Sequence, residues 1–394
     1  MAQIPLHVQT WAQSAPFRRL AQSIDAQQVV QTAVAIQQIP APTFSEARRA
    51  AYVRDRLVAA GLRDVSMDSL HNVIGRWPGT DAARPALLLS AHTDTVFPAN
   101  TDLTIRVEAG RVYGPGLGDN SLGVAALIAL AEMLAMHGVH PPADVWFAAN
   151  SREEGLGNLD GIRAVWHTLG AHLGAAIVIE GMALGRIFHA GIAVRRLRVV
   201  CRAPGGHSWL HFGQPSAVHG LIEAGAQVIA LTPPRNPRTT FNIGLIHGGQ
   251  SVNSLAAEAE LYLDLRSEDA ACLKEFEQAV RECFQAATQS PHLDFTITVV
   301  GDRPAGRIDS AHPLPQMAAA ALSLAGIPPG FEQGSTDANA LLAEGLPTIT
   351  VGVSYGGHSH RADEYIETGS VAQGLWQLIL LVLSAAAWNF RDGE

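Results

Sequence analysis

The sequence predicts an α/β protein in which a mixed sheet layered by helices is interrupted by a smaller α+β unit. Three observations predict it. Apolar runs of the buried-strand kind, at Leu87–Leu89, Ala175–Ile179 and Thr348–Val353, alternate with helical stretches. Near Gly191 the character changes, and the next stretches read in the order β-α-β-β-α-β, the pattern of a compact ferredoxin-like insert. Helix–strand alternation then resumes at Ala311–Ala325. A chain of 394 residues is long for one core. The expected division is a discontinuous first domain, residues 1–190 and 302–394, around a second at 191–301.

Taken in order, the Gln- and Ala-rich start carries a helix from about Ser23 to Gln38, ending before Pro40. Ser45 is placed to cap a second helix that Gly61 closes. Asn72–Trp77 and Pro85–Ser90 read as strands joined by a Gly/Asp turn. Ser121 is placed to cap the apolar helix Leu122–Met136, which stops at Gly138. Strand Asp144–Asn150 follows, then a helix after Glu153-Glu154-Gly155, then the strand ending at Glu180. In the insert, Val194–Arg202, Thr240–Ile246, Ala257–Arg266 and Leu293–Val300 read as strands. Pro215–Leu231 and Ala270–Ala287 read as its helices.

Composition narrows the function classes. A formal net charge of −9 argues against a general nucleic-acid binder, since phosphate affinity needs a basic face. Residues 1–16 lack a charged segment followed by an apolar core, so no secretory signal is expected. The run Leu378–Ala387 is too short to span a bilayer and reads as a buried terminal helix. Cys201, Cys272 and Cys283 show no CxxC spacing and cannot all pair, which fits a reducing compartment. The expectation is a cytoplasmic protein with no membrane or nucleic-acid partner.

The chemistry concentrates at strand ends. His92 and Asp94, two apart, face the same way at the end of the Leu87–Leu89 strand, so Asp94 is placed to orient the His92 ring. Asp119, Glu153-Glu154, Glu180 and His360 (or His358) stand at further predicted strand ends. Mixed imidazole and carboxylate ligands suit Zn²⁺, or Mn²⁺ or Co²⁺. Two ions need a bridging carboxylate, a part Asp119 is placed to play. One ion would take His92 and Glu180, the other Glu154 and His360, leaving Glu153 as a proton acceptor. Gly352-Val353-Ser354-Tyr355-Gly356 fits a serine-hydrolase elbow, but it runs into a Gly/His/Ser loop instead of a helix.

Five blocks, SAHTDTVFP, VYGPGLGDNSLGVAAL, SREEGLGNLDG, IEG and HSHRADEYIE, resemble the zinc peptidase and deacylase family. That family includes glutamate carboxypeptidase, peptidase T, acetylornithine deacetylase and succinyl-diaminopimelate desuccinylase. The resemblance covers nearly the whole chain, with the blocks in the family's order. It implies His92, Asp119 (bridging), Glu154, Glu180 and His360 as ligands, Glu153 as general base and Asp94 as support. A glutamate four residues beyond the last ligand, here Glu364, favours His360 over His358. The insert becomes a lid that usually dimerises, so a homodimer is implied. There His207 resembles a residue that helps polarise the substrate carbonyl, often across the dimer. Asn253 and Arg266 match lid positions that hold a substrate carboxylate, and Ser335 and Thr336 lie in a loop lining the same pocket. Glu180 is Asp in many peptidases and Glu in several deacylases, a tilt towards N-acyl substrates. Arg195 and Arg196 suggest either a nearby anion or plain strand-face charges. The implied activity is hydrolysis of an amide or peptide bond in a small carboxylate-bearing substrate. The alternatives are an aminohydrolase that releases ammonia and a silent binding protein of the same fold.

Overall fold

Leu87-Leu88-Leu89 lies in the strand Ala86–His92, all of whose residues are buried. A strand buried throughout needs cover on both faces. Leu87, Leu89 and Ala91 pack with residues of the helices Ala26–Gln37, Leu122–His137 and Val371–Ala386. Ala86 and Leu88 pack the opposite way, against the helices Asp160–Leu169 and Ala338–Ala343. The result is a sheet between two helical layers, seen here in a computed structural model that describes residues 3–287 and 292–390.

The chain divides into two compact units, Met1–Gly191 with Gly306–Glu394, and Ile192–Ala305. The larger sheet has nine strands among the described residues. Their order is Arg63–Met67, Val73–Trp77, Val145–Asn150, Ala86–His92, Leu173–Glu180, Thr348–Gly352, Arg186–Gly191 and Gly306–Arg307, with Gly330–Gly334 also on Arg186–Gly191. The four strands from Val145–Asn150 to Thr348–Gly352 are parallel, and antiparallel neighbours flank them, so the sheet is mixed. The register sets His92 opposite Asn150 and Glu180 opposite Gly352, so four parallel strands end along one edge. Open α/β sheets bind ligands at that edge.

The second unit has a four-stranded antiparallel sheet in the order Thr239–Gly248, Glu258–Ser267, Ala193–Arg202, Asp294–Arg303. Helices Ala217–Ala230 and Ala270–Ala287 share a core with it, built on Leu197, Val199, Leu221, Leu261, Val280 and Phe284. Along the chain this is the ferredoxin-like order that the sequence predicts. Arg195 pairs with Glu277 and Asp302, and Arg196 with Asp264. Their charges are answered inside the unit.

Local differences have local causes. The helix expected from Ser23 starts at Ala26, because the Asp25 carboxylate accepts from the Gln28 N–H at 2.9 Å. Two earlier helices, Gln3–Ala12 and Ala15–Gln22, precede it; Ser14 caps the second by accepting from the Phe17 N–H. Ser45 caps nothing, since the next helix begins at Ala47 after Glu46. The Ser121 hydroxyl does not accept from the helix either; it donates to the Gly116 carbonyl at 2.6 Å. Leu117–His137 and Thr368–Ala386 are long and apolar enough to cross a membrane, longer than the run read from sequence. Most of each (72% and 78%) is buried inside the protein, as core helices are.

Leu88→Ala is expected to lower stability by about 3 kcal/mol through the cavity it leaves. Leu6→Ala, at a site 62% exposed, should shift it by no more than about 0.5 kcal/mol. Urea unfolding with unchanged m-values checks both.

Candidate metal and catalytic site

The sheet edge delivers the candidate side chains. His92 ends one strand and Glu180 the next, while Glu153 and Glu154 follow the strand ending at Asn150. His360 lies in the loop beyond Thr348–Gly352. Asp119 belongs to the kinked turn Leu117–Ser121 ahead of helix Leu122–His137. Glycine is needed here because the backbones crowd. A Cβ on Gly181 would stand 2.2 Å from the Gly118 carbonyl oxygen, and Gly116 has φ +70°.

Asp119 is the hub. Its Oδ1 lies 3.1 Å from His92 Nε2 and its Oδ2 3.4 Å from His360 Nε2. Each histidine has a further acid, with Glu180 Oε2 3.7 Å from His92 Nε2 and Glu154 Oε1 3.1 Å from His360 Nε2. One ligand atom from each of His92, Asp119 and Glu154 lies within 4.8 Å of the others. His358 is elsewhere, its Nδ1 3.0 Å from Asp363.

Burial sets the electrostatics. Burial and the Asp119 charge push Glu154 up to about 7. Burial drives Glu180 to about 7 as well, against the pull of His92. Burial opposes a charged His92, yet Glu180, Asp119 and Asp94 outweigh it and raise the imidazole well above its usual range. Hydrogen bonds to Asp119 and Glu154 raise His360 to about 10. Asp119 is the exception: His360 and His92 overcome its burial and hold it well below the usual carboxylate range. A buried cluster with these shifts attracts positive charge, and the same donor atoms are those that hold divalent cations.

Asp94 supports more than the ring. His92 Nδ1 lies 3.1 Å from the Asp94 main-chain oxygen and 3.5 Å from its Oδ1. The Asp94 carboxylate also accepts the main-chain N–H groups of Glu153 and Glu154, both at 2.9 Å, and the Thr43 hydroxyl at 2.8 Å. One buried carboxylate thus organises the histidine and the acid pair together. Arg49, fully buried and lowered by that burial to about 10, donates to the Thr93 and Ile39 carbonyls. Glu364 accepts from the Gly118 and Asp119 N–H groups, at 2.7 and 3.0 Å, and so fixes the Asp119 turn. Asn120 ties that turn to the Glu180 strand through the Ile179 carbonyl and the Gly181 N–H. In sequence, Glu364 is only a spacing mark and Asp94 only a support for His92. Thr43 and Arg49 carry no signal there, and Asn120 appears only as a member of the block around Asp119.

The remaining candidates divide by unit. In the larger one Ser335 is half-buried, and the Thr336 hydroxyl is engaged with Thr350 Oγ1 at 2.9 Å and the Ala338 N–H at 3.2 Å. In the second, His207 and Asn253 are exposed neighbours: Ser208 N–H donates to the Asn253 carbonyl, and His207 pairs with Ser254. Arg266 donates to Asp264 Oδ2 at 2.6 Å. Ser354 of the G-x-S-x-G match is buried, its hydroxyl within 2.8 Å of the Glu367 carbonyl. That is a structural serine and not an exposed nucleophile.

Residues 88–383 match peptidase family M20/M25/M40, a span that takes in every candidate ligand. The chain belongs to this family. This places it among hydrolases acting on peptide and amide bonds. It is similar to carboxypeptidase G2 of Pseudomonas sp. (strain RS-16), 26% identical over 330 residues that cover 80% of this chain and 77% of that protein. It is also similar to acetylornithine deacetylase of Shigella sonnei, 24% identical over 77% of this chain and 81% of the relative. The fold matches aminopeptidase PepT from Bacillus cereus with a TM-score of 0.71 at 20% identity, covering 92% of this chain and 99% of that one.

Asp94→Ala removes one acceptor from three donors, two of them main-chain, and should cost about 3 kcal/mol of stability. Thr43→Val, which removes one donor, should cost about 1 kcal/mol. Urea midpoints rank the two, and equal losses would contradict the central place given to Asp94.

Proposed function

We propose that the chain is a dinuclear metal-dependent hydrolase of an amide or peptide bond in a small carboxylate-bearing substrate, a dipeptide or an N-acyl amino acid. The observation that carries this reading is the Asp119 carboxylate, which turns a different oxygen to each of two histidines. The donor set fits Zn²⁺, with Mn²⁺ or Co²⁺ as chemically acceptable substitutes. His92, Asp119 and Glu180 would hold one ion, and Asp119, Glu154 and His360 the other. When bound, such ions supply Lewis acidity towards a carbonyl oxygen and lower the pKa of water.

The chain's own residues do the rest. Glu153 is the acid that the ligand set leaves over, buried next to Glu154 with its main-chain N–H held by Asp94. In this reading it takes a proton from the attacking water and delivers it to the departing amine. His207 polarises the carbonyl, from its own subunit or the partner's. Asn253 and Arg266 receive the substrate carboxylate, and Ser335 and Thr336 line the pocket. A peptidase and a deacylase among the relatives support an amide C–N bond as the target.

A cytoplasmic homodimer formed through the second unit completes the proposal. Among the described residues Thr239–Gly248 pairs on one side only and exposes Leu245 and Ile246, while helix Ala217–Ala230 exposes Ile222 and Ile229. An edge strand with exposed apolar residues is a surface that soluble proteins normally cover.

Glu153→Gln should lower turnover of dipeptides or N-acyl amino acids by at least about a hundredfold while leaving metal content unchanged. Retained turnover would remove Glu153 as the base. Release of ammonia in place of an amino acid would replace amide hydrolysis by the aminohydrolase reading.

A further inference from the structure

Asp337 opens the helix Ala338–Ala343 and is fully buried. Its carboxyl does not cap that helix; the Ala338 N–H goes to the Thr336 hydroxyl at 3.2 Å. Asp337 turns instead to Asn150, whose Nδ2 donates to Asp337 Oδ2 at 2.7 Å. The other oxygens of the same two side chains, Asp337 Oδ1 and Asn150 Oδ1, are both buried and have no hydrogen-bond partner among the described residues. One proton shared between these two acceptors would meet both. A neutral carboxyl O–H donating to the amide oxygen satisfies both, whereas a carboxylate leaves two buried acceptors unmet. The surroundings agree. Burial and the charges of Glu153 and Glu180 outweigh His92 and the Asn150 bond, and raise Asp337 well above the usual carboxylate range.

The pair sits where it governs the site. Asn150 ends its strand opposite His92. Its main-chain oxygen accepts from the Thr93 N–H at 2.7 Å and the Thr93 hydroxyl at 3.0 Å. Thr93 stands between His92 and Asp94, and Asp94 holds the N–H groups of Glu153 and Glu154.

We propose that Asp337 is a neutral carboxylic acid closed in an acid–amide pair with Asn150, and that this pair positions the segment carrying Glu153. Asp337 is a positioning residue. A neutral group here also adds no negative charge to a pocket that already holds Asp119, Glu153, Glu154 and Glu180. The catalytic consequence rests on Glu153 being the base; the proton on Asp337 does not.

Infrared difference spectroscopy of the purified wild-type protein against Asp337→Asn, at neutral pH, reads the proton directly. The expected result is a protonated-carboxyl C=O band, shifted in D₂O, that Asp337→Asn removes. That variant keeps a donor for Asn150 Oδ1, so its kcat/KM should stay within about threefold of wild type, while Asp337→Ala should lose about tenfold or more, chiefly in kcat. Absence of the band, or an Asp337→Asn loss as large as that of Asp337→Ala, overturns the proposal. Full activity in Glu153→Gln alongside an intact band would instead overturn the role of Glu153 and leave the acid–amide pair standing.

Discussion

The structure of the site depends on one carboxylate reached from two sides. Asp119 can meet both His92 and His360 only if its turn, one strand end and a loop far along the chain converge. The parallel centre of the sheet brings the strand ends to a single edge, with His92 and Glu180 on neighbouring strands. Glu364 and Asn120 then hold the Asp119 turn against its neighbours. The sheet supplies the convergence and the main-chain hydrogen bonds supply the aim.

Concentrating acids in a buried place is costly, and the protein meets that cost with dipoles as well as cations. Asp94 takes two main-chain N–H groups and a hydroxyl, and Glu364 takes two main-chain N–H groups. Glu364, pushed up to about 8 by burial and by the charge of Asp119, is held by those donors beside the hub. Asp337 follows another route, in which neutrality replaces compensation. The acids that face the two histidine Nε2 atoms, Asp119, Glu154 and Glu180, differ from those that hold main-chain N–H groups, Asp94 and Glu364.

Much of this is legible in the sequence because it is local. Apolar runs of strand length, a helix closed by Gly138, and acids at strand ends all lie within a few residues of the features that explain them. The order of the second unit is readable for the same reason. What is hidden is non-local or polar and ordinary. Glu364 reaches back 246 residues to Gly118, and Asn150 reaches 187 to Asp337. Thr43 meets Asp94 across 51 residues with no pattern to mark it. The Ser121 cap fails because its hydroxyl donates to the Gly116 carbonyl instead, and the Ser45 cap fails because the helix begins only at Ala47, after Glu46. Candidate ligands could be named because their residue types are chemically specific. Some of their supports, such as Thr43 and Arg49, are ordinary polar residues that mean little until the chain has closed around them.

The proposed role of Asp119 is to serve two cations at once. The most direct test is metal content per chain, by elemental analysis, after purification in metal-supplemented, chelator-free buffer. About two equivalents are expected, with losses from both positions in Asp119→Ala and from one in His92→Ala or His360→Ala. A single equivalent, or none, in the wild-type protein would contradict it.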